Sequence, residues 1–197
     1  MPEKRKFFDV ELPIINSTVS LIGNVIEDLN NRSVKMDLTR KLKGKSLEIT
    51  YSITVKDGKP EASPTRIFLL PFYIRRAMRK SADYVEDSFI AKCHDHTLRI
   101  KFLLITRKKV SRAVRNALRV KAIEEITNEI KEVKYADILS DLLSNKFQKI
   151  LSLKLKKVYP LAFCEIKEMI TEKQKLKKTK EDRVEEVKEV QEVATQI

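Results

Sequence analysis

The side chains with the clearest chemical potential in this sequence are lysines and arginines concentrated between residues 106 and 121. The segment reads TRKKVSRAVRNALRVK and contains seven basic residues and no carboxylate, and the wider window 96–123 holds nine basic residues and again no acid. Arginine binds phosphate through paired hydrogen bonds and also stacks on bases, whereas lysine acts as a point charge. Because a surface that serves only solubility mixes both signs, this pattern predicts a binding surface for a polyanion.

Two further basic clusters lie elsewhere in the chain. The first occupies one flank of a predicted helix and consists of Arg75, Arg76, Arg79 and Lys80. The second, at the N-terminus, consists of Lys4, Arg5 and Lys6. The remaining candidate residues for binding nucleic acid lie on a predicted strand and in the acid-free window: Arg99, Lys101, Arg107, Lys108, Lys109, Arg112, Arg115 and Arg119. One cluster alone is typical of a solvated face, but three clusters and an acid-free window favour nucleic acid, held by its phosphates with little base readout.

A long helix is predicted from about Val110 to about Val133, and it positions most of the arginines. At about 100° per residue, one strip of this helix carries Lys108, Arg112, Arg115 and Arg119. The opposite side, which we expect to pack on the core, carries Val110, Ala113, Val114, Ala117 and Val120. Beyond residue 122 the apolar stripe moves onto the side that was basic, at Ile123, Ile126, Ile130 and Val133. Either another element covers the helix there, such as the helices predicted within 135–158, or the helix breaks near residue 121.

The segment Cys93-His94-Asp95-His96 is a rival chemical site, since it holds both histidines of the chain and one of its two cysteines. Zinc needs four ligands converging at about 2.0–2.3 Å, and neighbouring residues in a tight hairpin point to opposite faces. We therefore expect a polar turn beside a buried thiol, and no metal site. Asp95 and His96 resemble a nuclease dyad, but no second carboxylate cluster accompanies them to hold a metal. We expect no enzymatic activity and no catalytic residues.

Composition narrows the class of protein. Only three glycines occur, which excludes the glycine-rich loops that cradle nucleotide phosphates, so we expect no cofactor and no small-molecule substrate. The formal net charge of +13 favours polyanionic partners. No membrane association is expected, because the longest apolar run, 67–74, has eight residues and contains a proline, against about 20 for a membrane helix. Two cysteines and an N-terminal segment without an apolar signal region favour the reducing cytosol.

The charge distribution predicts two parts. Residues 172–197 contain seven basic and seven acidic residues, so the body, 1–171, carries the whole positive excess. We expect the body to be one α+β domain that binds nucleic acid. The tail, 172–197, contains no aromatic residue, glycine or proline, and we expect it to be disordered or to form a helix docked on a partner.

The pattern of hydrophobic residues predicts strands mainly in the first half and helices mainly in the second. Period-two alternation predicts strands at 6–13, 33–38, 46–55, 88–93 and 97–106, with a hairpin turn at 94–96. Besides the long helix, helices are predicted at 72–85, 135–143 and 146–158, and a final strand at 161–170. This order favours an α+β fold, in which a curved antiparallel sheet or β-barrel is flanked by helices and followed by a charged C-terminal tail.

These segments, taken in order, resemble the small-subunit ribosomal protein S-one-e family of archaea and eukaryotes, formerly S-three-A-e. The matching stretches span most of 6–170: KFFDVELP, YIRRAMRKSADYV, KCHDHTLRIKFLLITRKK, SRAVRNALRVKAIEEI and LSNKFQKILSLKLKKVYPL. No single stretch is highly specific, but the ordered set is. Two features depart from the family: its frequent Asp-Gly hairpin turn is Asp95-His96 here, and the tail after about residue 171 has no counterpart.

The resemblance implies a β-barrel-like sheet with flanking helices and a structural role in the cytoplasm. That role is binding rRNA on the platform of the small subunit, near the mRNA exit and beside other platform proteins. By position, Arg75, Arg79 and Lys80 match basic sites of the family's first helix. The basic region of its second helix is matched by Arg107, Arg112, Arg115 and Arg119.

Two other functions fit the charge pattern. The chain is alternatively a sequence-specific DNA-binding regulator that uses 110–121 as a recognition helix, or a basic interaction scaffold for acidic proteins. Preference for one duplex sequence over bulk RNA distinguishes the first, and failure to co-sediment with ribosomal subunits at high salt distinguishes the second.

Overall fold

The computed structural model describes residues 5–42 and 44–172, which form an α+β fold. Its strands are β1 (Lys6–Leu12), β2 (Ser17–Gly23), β3 (Ser33–Asp37), β4 (Leu47–Lys56), β5 (Lys59–Leu69), β6 (Tyr84–Lys92), β7 (Thr97–Thr106) and β8 (Leu161–Glu172). Its helices are α1 (Pro71–Ala77), α2 (Arg112–Ile130), α3 (Tyr135–Leu143) and α4 (Lys146–Leu155), and a 3-10 turn covers Ile26–Leu29. The predicted tail lies outside the described residues from position 173 onward.

Six strands form one antiparallel sheet in the order β3-β4-β5-β8-β7-β6, and β1 pairs with β2 in a separate two-stranded sheet. The large sheet is open, with β3 and β6 at its edges, so the predicted antiparallel sheet is confirmed and the barrel alternative is wrong. Bulges interrupt the β7–β8 ladder between Lys101 and Phe102 and between Ile105 and Thr106. Such bulges bend strands. In the strand order, β8, the last strand of the body, lies between β5 and β7 and joins the two halves of the sheet.

Strand β7 lies at the centre of the core. Phe102, Leu103, Leu104 and Ile105 are all buried, which means that both faces of the strand are covered at this end. Burial on both faces explains why its sequence becomes continuously apolar instead of alternating. Helices α2, α3 and α4 contribute buried side chains to the same core. The C-terminal end of β7 is thus held rigidly, and the basic segment 107–109 leaves directly from it.

The helix predicted at 72–85 is wrong in its second half. Helix α1 ends at Ala77, Met78 is already extended (φ −74°, ψ 131°), and residues from Tyr84 onward form β6. The reason is long-range pairing: Tyr84 pairs with Ile105 and Val85 with Leu104, whose burial in the sheet outweighs local helix propensity. Other predicted bounds differ by a few residues, and the strands 97–106 and 161–170 and the helix 135–143 are confirmed.

Strands β2 and β5 were not predicted. Two prolines in β5, Pro60 and Pro64, argue against a central strand because proline cannot donate to the ladder. The structure accommodates them because β5 pairs with β8 only through Arg66, Ile67 and Phe68, so the proline-containing half has β4 as its single strand neighbour in the sheet. In the described chain, that half of β5 keeps one side free of strand pairing.

Candidate nucleic-acid interface

Two basic loops meet at the end of the sheet where β7 finishes. Asp83, just before β6, is joined to Thr106 by backbone and side-chain hydrogen bonds: the Thr106 amide donates to the Asp83 carbonyl at 2.9 Å, and the Asp83 amide donates to Thr106 Oγ1 at 3.0 Å. The Asp83 carboxylate also accepts from the Val110 amide at 2.8 Å. These bonds hold the end of the loop that carries Arg79 and Lys80 against Thr106 and Val110, which flank the segment 107–109. We call the two loops, 79–83 and 107–110, the basic junction.

The basic side chains of the junction and of the start of α2 are not paired with carboxylates of the described part of the chain. Among the described residues, no carboxylate oxygen lies within 4.0 Å of the cationic groups of Arg79, Lys80, Arg107, Lys108, Lys109, Arg112 and Arg115. Like charges gathered on one part of the surface repel one another, which destabilises the isolated fold. A polyanion that binds here relieves this repulsion.

The arginines of α2 line a groove rather than an outward ridge. Helix α2 begins after Ser111, whose side-chain oxygen accepts from the Val114 amide. Between the first half of α2 and the start of the edge strand β6 lies a groove of about 660 Å³. We call it the arginine groove, and its principal lining residues are Tyr84, Glu86, Arg112, Arg115, Asn116 and Arg119. Arg119 Nε lies 3.4 Å from Asp87 Oδ2 on β6 and ties the helix to the strand.

The predicted core side of the first half of α2 is wrong. Of the residues expected there, Ala113, Ala117 and Val120 are exposed, and Val114 is partly buried. The buried residues are instead Leu118, Ala122, Ile126 and Ile130. Four-residue steps advance by about 40° around an α-helix, so this stripe drifts continuously toward the arginine side. The arginines therefore border the core instead of opposing it, which is why they face the groove beside β6.

The second half of α2 is covered by α4, as one of the two predicted alternatives stated. Helix α2 is continuous from Arg112 to Ile130, so a break near residue 121 is excluded. Lys154 of α4 lies 3.0 Å from Glu125 and also pairs with Glu129. The hydrogen bonds that Lys154 donates to Glu129 and Glu125 raise the pKa of Lys154, so this link stays charged at neutral pH.

Two predicted RNA-binding residues, Arg99 and Lys101, form ion pairs with glutamates of the neighbouring strand β8. Arg99 Nε donates to Glu172 Oε1 at 2.7 Å, and Lys101 Nζ donates to Glu168 Oε2 at 2.7 Å. Arg66 Nε donates to the other oxygen of Glu168 at 2.7 Å. Burial raises the pKa of Glu168, but the hydrogen bonds from Lys101 and Arg66 outweigh it and leave that pKa below its usual value. Both predicted contacts thus already have anionic partners on β8.

The other two basic clusters, on α1 and at the N-terminus, lie in different parts of the molecule. Helix α1 stands at the same end of the sheet as the basic junction, since Tyr73 packs on Phe163 with ring centroids 5.8 Å apart and Phe163 pairs with Ile105. On this helix the Arg76 guanidinium lies over the Phe72 ring at 5.6 Å, and Arg75 is exposed.

The N-terminal cluster lies elsewhere. Arg5 and Lys6 are exposed at the start of β1, whose two-stranded sheet contacts β5, and Lys4 lies outside the described residues. The structure therefore brings the cluster of residues 75–80 to the same end of the large sheet as the basic segment 106–121. The N-terminal cluster lies away from that end.

The Cys93–His96 segment forms a turn closed by hydrogen bonds. Cys93 Sγ contacts the carbonyl and amide of His96 at 3.0 and 3.2 Å, and the ring of His96 packs edge-on against Tyr135. Asp95 contacts His94 Nδ1 at 2.6 Å rather than His96, and this hydrogen bond lowers the pKa of Asp95. No group of three metal-ligating side chains occurs within 5–42 and 44–172. Burial, together with nearby Glu165, raises the pKa of the other thiol, Cys164, to about 12, which keeps it protonated.

Three residues that shape the interface were missed in the sequence. Asp83 and Tyr84 fell within the predicted helix 72–85, so their roles at the loop and groove were hidden. Asn116 carries no charge and gave no signal. The helical spacing did predict that Arg112, Arg115 and Arg119 share one strip, but placing Lys108 on that strip was wrong, because α2 begins at Arg112 and Lys108 lies in the preceding loop. In the part of the chain that is described, no helix is both long and apolar enough to cross a membrane.

Fold and site together define a basic α+β protein whose cations gather at one end of an open antiparallel sheet. The sequence profile of the Ribosomal S3Ae family matches residues 3–175, and the chain therefore belongs to that family, the small-subunit ribosomal family that its ordered motifs predicted. It is similar to small ribosomal subunit protein eS1 of Nanoarchaeum equitans (strain Kin4-M), with 24% identity over 178 residues that cover 86% of this chain and 90% of the relative. The chain is thus a structural ribosomal protein of the cytoplasmic translation machinery, and its partners are rRNA and other ribosomal proteins.

Proposed function

We propose that this protein is a structural component of the small ribosomal subunit that binds rRNA electrostatically through the basic junction and the arginine groove. Its site on the subunit is the platform near the mRNA exit, beside other platform proteins, and it catalyses no reaction. One observation carries the proposal: the hydrogen bonds of Asp83 hold two basic loops together next to the α2 arginines, where described carboxylates do not neutralise them, apart from Asp87 at Arg119.

The mechanism is replacement of counterions. Phosphates of a folded RNA hold condensed cations, and each arginine or lysine that contacts a phosphate releases some of them. Arg75 and Arg76 on α1 extend the contact at the same end of the sheet, and the N-terminal cluster 4–6 supplies a second contact elsewhere. At Arg99 and Lys101, Glu172 and Glu168 compete with phosphate, so we assign these two residues a smaller share of the binding.

A salt titration of RNA binding tests the proposal with two variants of equal net charge. Arg115→Ala removes a cation with no described partner, and Arg99→Ala removes one that pairs with Glu172. Because each lost phosphate contact lowers the slope of log affinity against log salt by about one, we expect that change for Arg115→Ala and a smaller one for Arg99→Ala. The measurement is filter binding of the full chain to small-subunit rRNA fragments between about 50 and 200 mM salt.

Two results contradict the proposal. A flat salt response of the unmodified chain excludes electrostatic rRNA binding, and equal slopes for the two variants exclude this surface as its location. A preference for one DNA duplex sequence over rRNA supports the regulator alternative instead. Failure to co-sediment with small subunits at high salt supports the scaffold.

The position on the platform needs a separate measurement. Cross-linking of purified small subunits through Lys108 and Lys109 is expected to join this protein to platform rRNA, and other lysines to platform proteins and to mRNA near the exit. Cross-links confined to another region of the subunit contradict the placement while leaving the electrostatic mechanism intact.

A further inference from the structure

The arginine groove differs from a plain phosphate-binding surface because it contains an exposed aromatic ring. Tyr84 is 55% exposed although it belongs to a strand whose next residue, Val85, is buried. It is the first residue of β6, at the edge of the sheet, and it borders the groove opposite the arginines of α2. More than half of the surface of Tyr84 is therefore accessible to a ligand.

The charges around the groove favour an anionic ligand. Arg112 and Arg115 have no carboxylate within 4.0 Å among the described residues. The two acids nearby are both compensated, since Glu86 pairs with Lys167 and Asp87 pairs with Arg119. Asn116, which also lines the groove, adds an amide with hydrogen-bond donors and an acceptor. The groove thus combines cations without described acidic partners, one exposed ring and a neutral polar group.

This combination matches an unpaired nucleotide rather than a duplex. In double-stranded RNA the bases are stacked inside the helix, and a protein reaches mainly phosphates and 2′-hydroxyls. An unpaired nucleotide can stack its base on an aromatic ring while its neighbouring phosphates contact basic residues. The volume of about 660 Å³ lies within the range of roughly 300–1,000 Å³ that is typical of small-ligand pockets. The groove is therefore large enough to hold one extruded nucleotide.

We propose that the arginine groove binds one unpaired RNA nucleotide, whose base stacks on Tyr84 while Arg112 and Arg115 contact the flanking phosphates. The proposal rests on the proposed rRNA-binding function and adds a specific ligand class to it. Paired RNA lies along the basic junction, and a bulged or loop nucleotide fixes the register of the protein on that RNA.

The test compares Tyr84→Ala with the matched variant Tyr84→Phe, which keeps the ring. The probes are two RNAs of equal length, a perfect duplex and the same duplex with one bulged 2-aminopurine nucleotide, each titrated with the full-length chain. Stacking of one base on an aromatic side chain corresponds to about 5- to 150-fold in affinity. We expect Tyr84→Ala to lose that factor on the bulged RNA only, and Tyr84→Phe to bind it like the unmodified chain.

Fluorescence supplies a readout that a purely structural role of Tyr84 does not change. Stacking quenches 2-aminopurine, so binding of the unmodified chain and of Tyr84→Phe should quench it, while binding of Tyr84→Ala should not. Equal affinity of the unmodified chain and Tyr84→Ala for the bulged RNA, with equal quenching, overturns the inference and leaves this strand edge to a protein neighbour. If the unmodified chain binds neither RNA in a salt-dependent way, the proposed function itself fails, and the two failures are thereby distinguished.

Discussion

The two ends of strand β7 use positive charge in opposite ways. Near its start, Arg99 and Lys101 are neutralised by glutamates of the neighbouring strand β8. At its finish, about 27 Å from Arg99 at about 3.4 Å per residue, Arg107 opens a segment whose cations have no described carboxylate partner. The same residue types thus stabilise the sheet at one end and remain available to an external anion at the other.

Strand β8 is responsible for the difference. Its glutamates compensate four cations: Glu165 pairs with Lys45, Glu168 with Arg66 and Lys101, and Glu172 with Arg99. Its first residue, Leu161, pairs with Thr106, so no glutamate of β8 extends past the end of β7 toward 107–109. The positions of the glutamates along β8 therefore determine which basic residues form ion pairs within the protein and which remain available to a ligand.

The largest effect is expected when the most deeply buried of these pairs is broken. Lys45 is 4% exposed and Glu165 11% exposed, their charged atoms are 2.7 Å apart, and Lys45 also donates to Asn145 at 3.0 Å. Glu165→Ala leaves the ammonium group buried without its anion. We expect the free energy of unfolding, measured by urea denaturation, to fall by about 3–5 kcal/mol.

The double variant Lys45→Met with Glu165→Leu is the control, because it removes both charges and keeps most of the volume. It should recover most of the lost stability. The salt dependence of rRNA binding should stay unchanged in the double variant, since Lys45 and Glu165 neutralise each other and belong neither to the basic junction nor to the arginine groove. A double variant as unstable as Glu165→Ala means that packing, and not the unpaired charge, accounts for the loss.

The next effect in size is a pH dependence of stability at Glu168. Its folded pKa lies below the usual value of 4.5, so its contribution is fully present above that pH and disappears as pH falls through the folded pKa. Glu168→Gln should lower the free energy of unfolding at neutral pH by about 1–2 kcal/mol, after allowance for solvent screening of the partly exposed Arg66 and Lys101.

The check is urea unfolding of both chains at pH 7 and at roughly pH 3. The gap between the unmodified chain and Glu168→Gln should narrow at the lower pH, because the native glutamate loses its charge as pH falls through its folded pKa, which lies below 4.5. If the difference in free energy of unfolding between the two chains is the same at both pH values, ion pairs do not stabilise this end of the sheet. The two ends of β7 then do not differ in the way described above.

Regular patterns in the sequence predicted the central elements well. Strand β7 and helix α3 were predicted at their observed bounds because periodicity and burial coincide there. Strand β5 was missed because its prolines are tolerated only where β8 does not pair, and this depends on a strand about 100 residues later in the chain. The short length of α1 likewise depends on pairing between β6 and β7. Partners distant in sequence explain these errors.

The candidate site was predictable in composition but not in geometry. Helical spacing placed Arg112, Arg115 and Arg119 on one strip, yet the drift of the buried stripe, which turns that strip toward β6, was hidden by the valines and alanines around it. Pairing of Arg99 and Lys101 with β8 was not visible either, because the partner glutamates lie about 70 residues away. The density of basic residues in the sequence indicates where the binding region lies. Ion pairs between residues distant in the sequence determine which of those basic side chains remain available to a ligand.

The smallest effect tests whether Asp83 organises the basic end through geometry. Asp83→Asn keeps an oxygen that accepts from the Val110 amide but removes a negative charge from the junction, whereas Asp83→Ala removes both. Loss of charge alone should raise rRNA affinity slightly, since it deletes a repulsion. Loss of the hydrogen bond, about 1 kcal/mol, should let the two loops separate and lower affinity again. We therefore expect Asp83→Ala to bind rRNA about three- to fivefold more weakly than Asp83→Asn in filter binding. Equal affinities of the two variants indicate that the loops hold their positions without this bond, so that charge density alone distinguishes the two ends of β7.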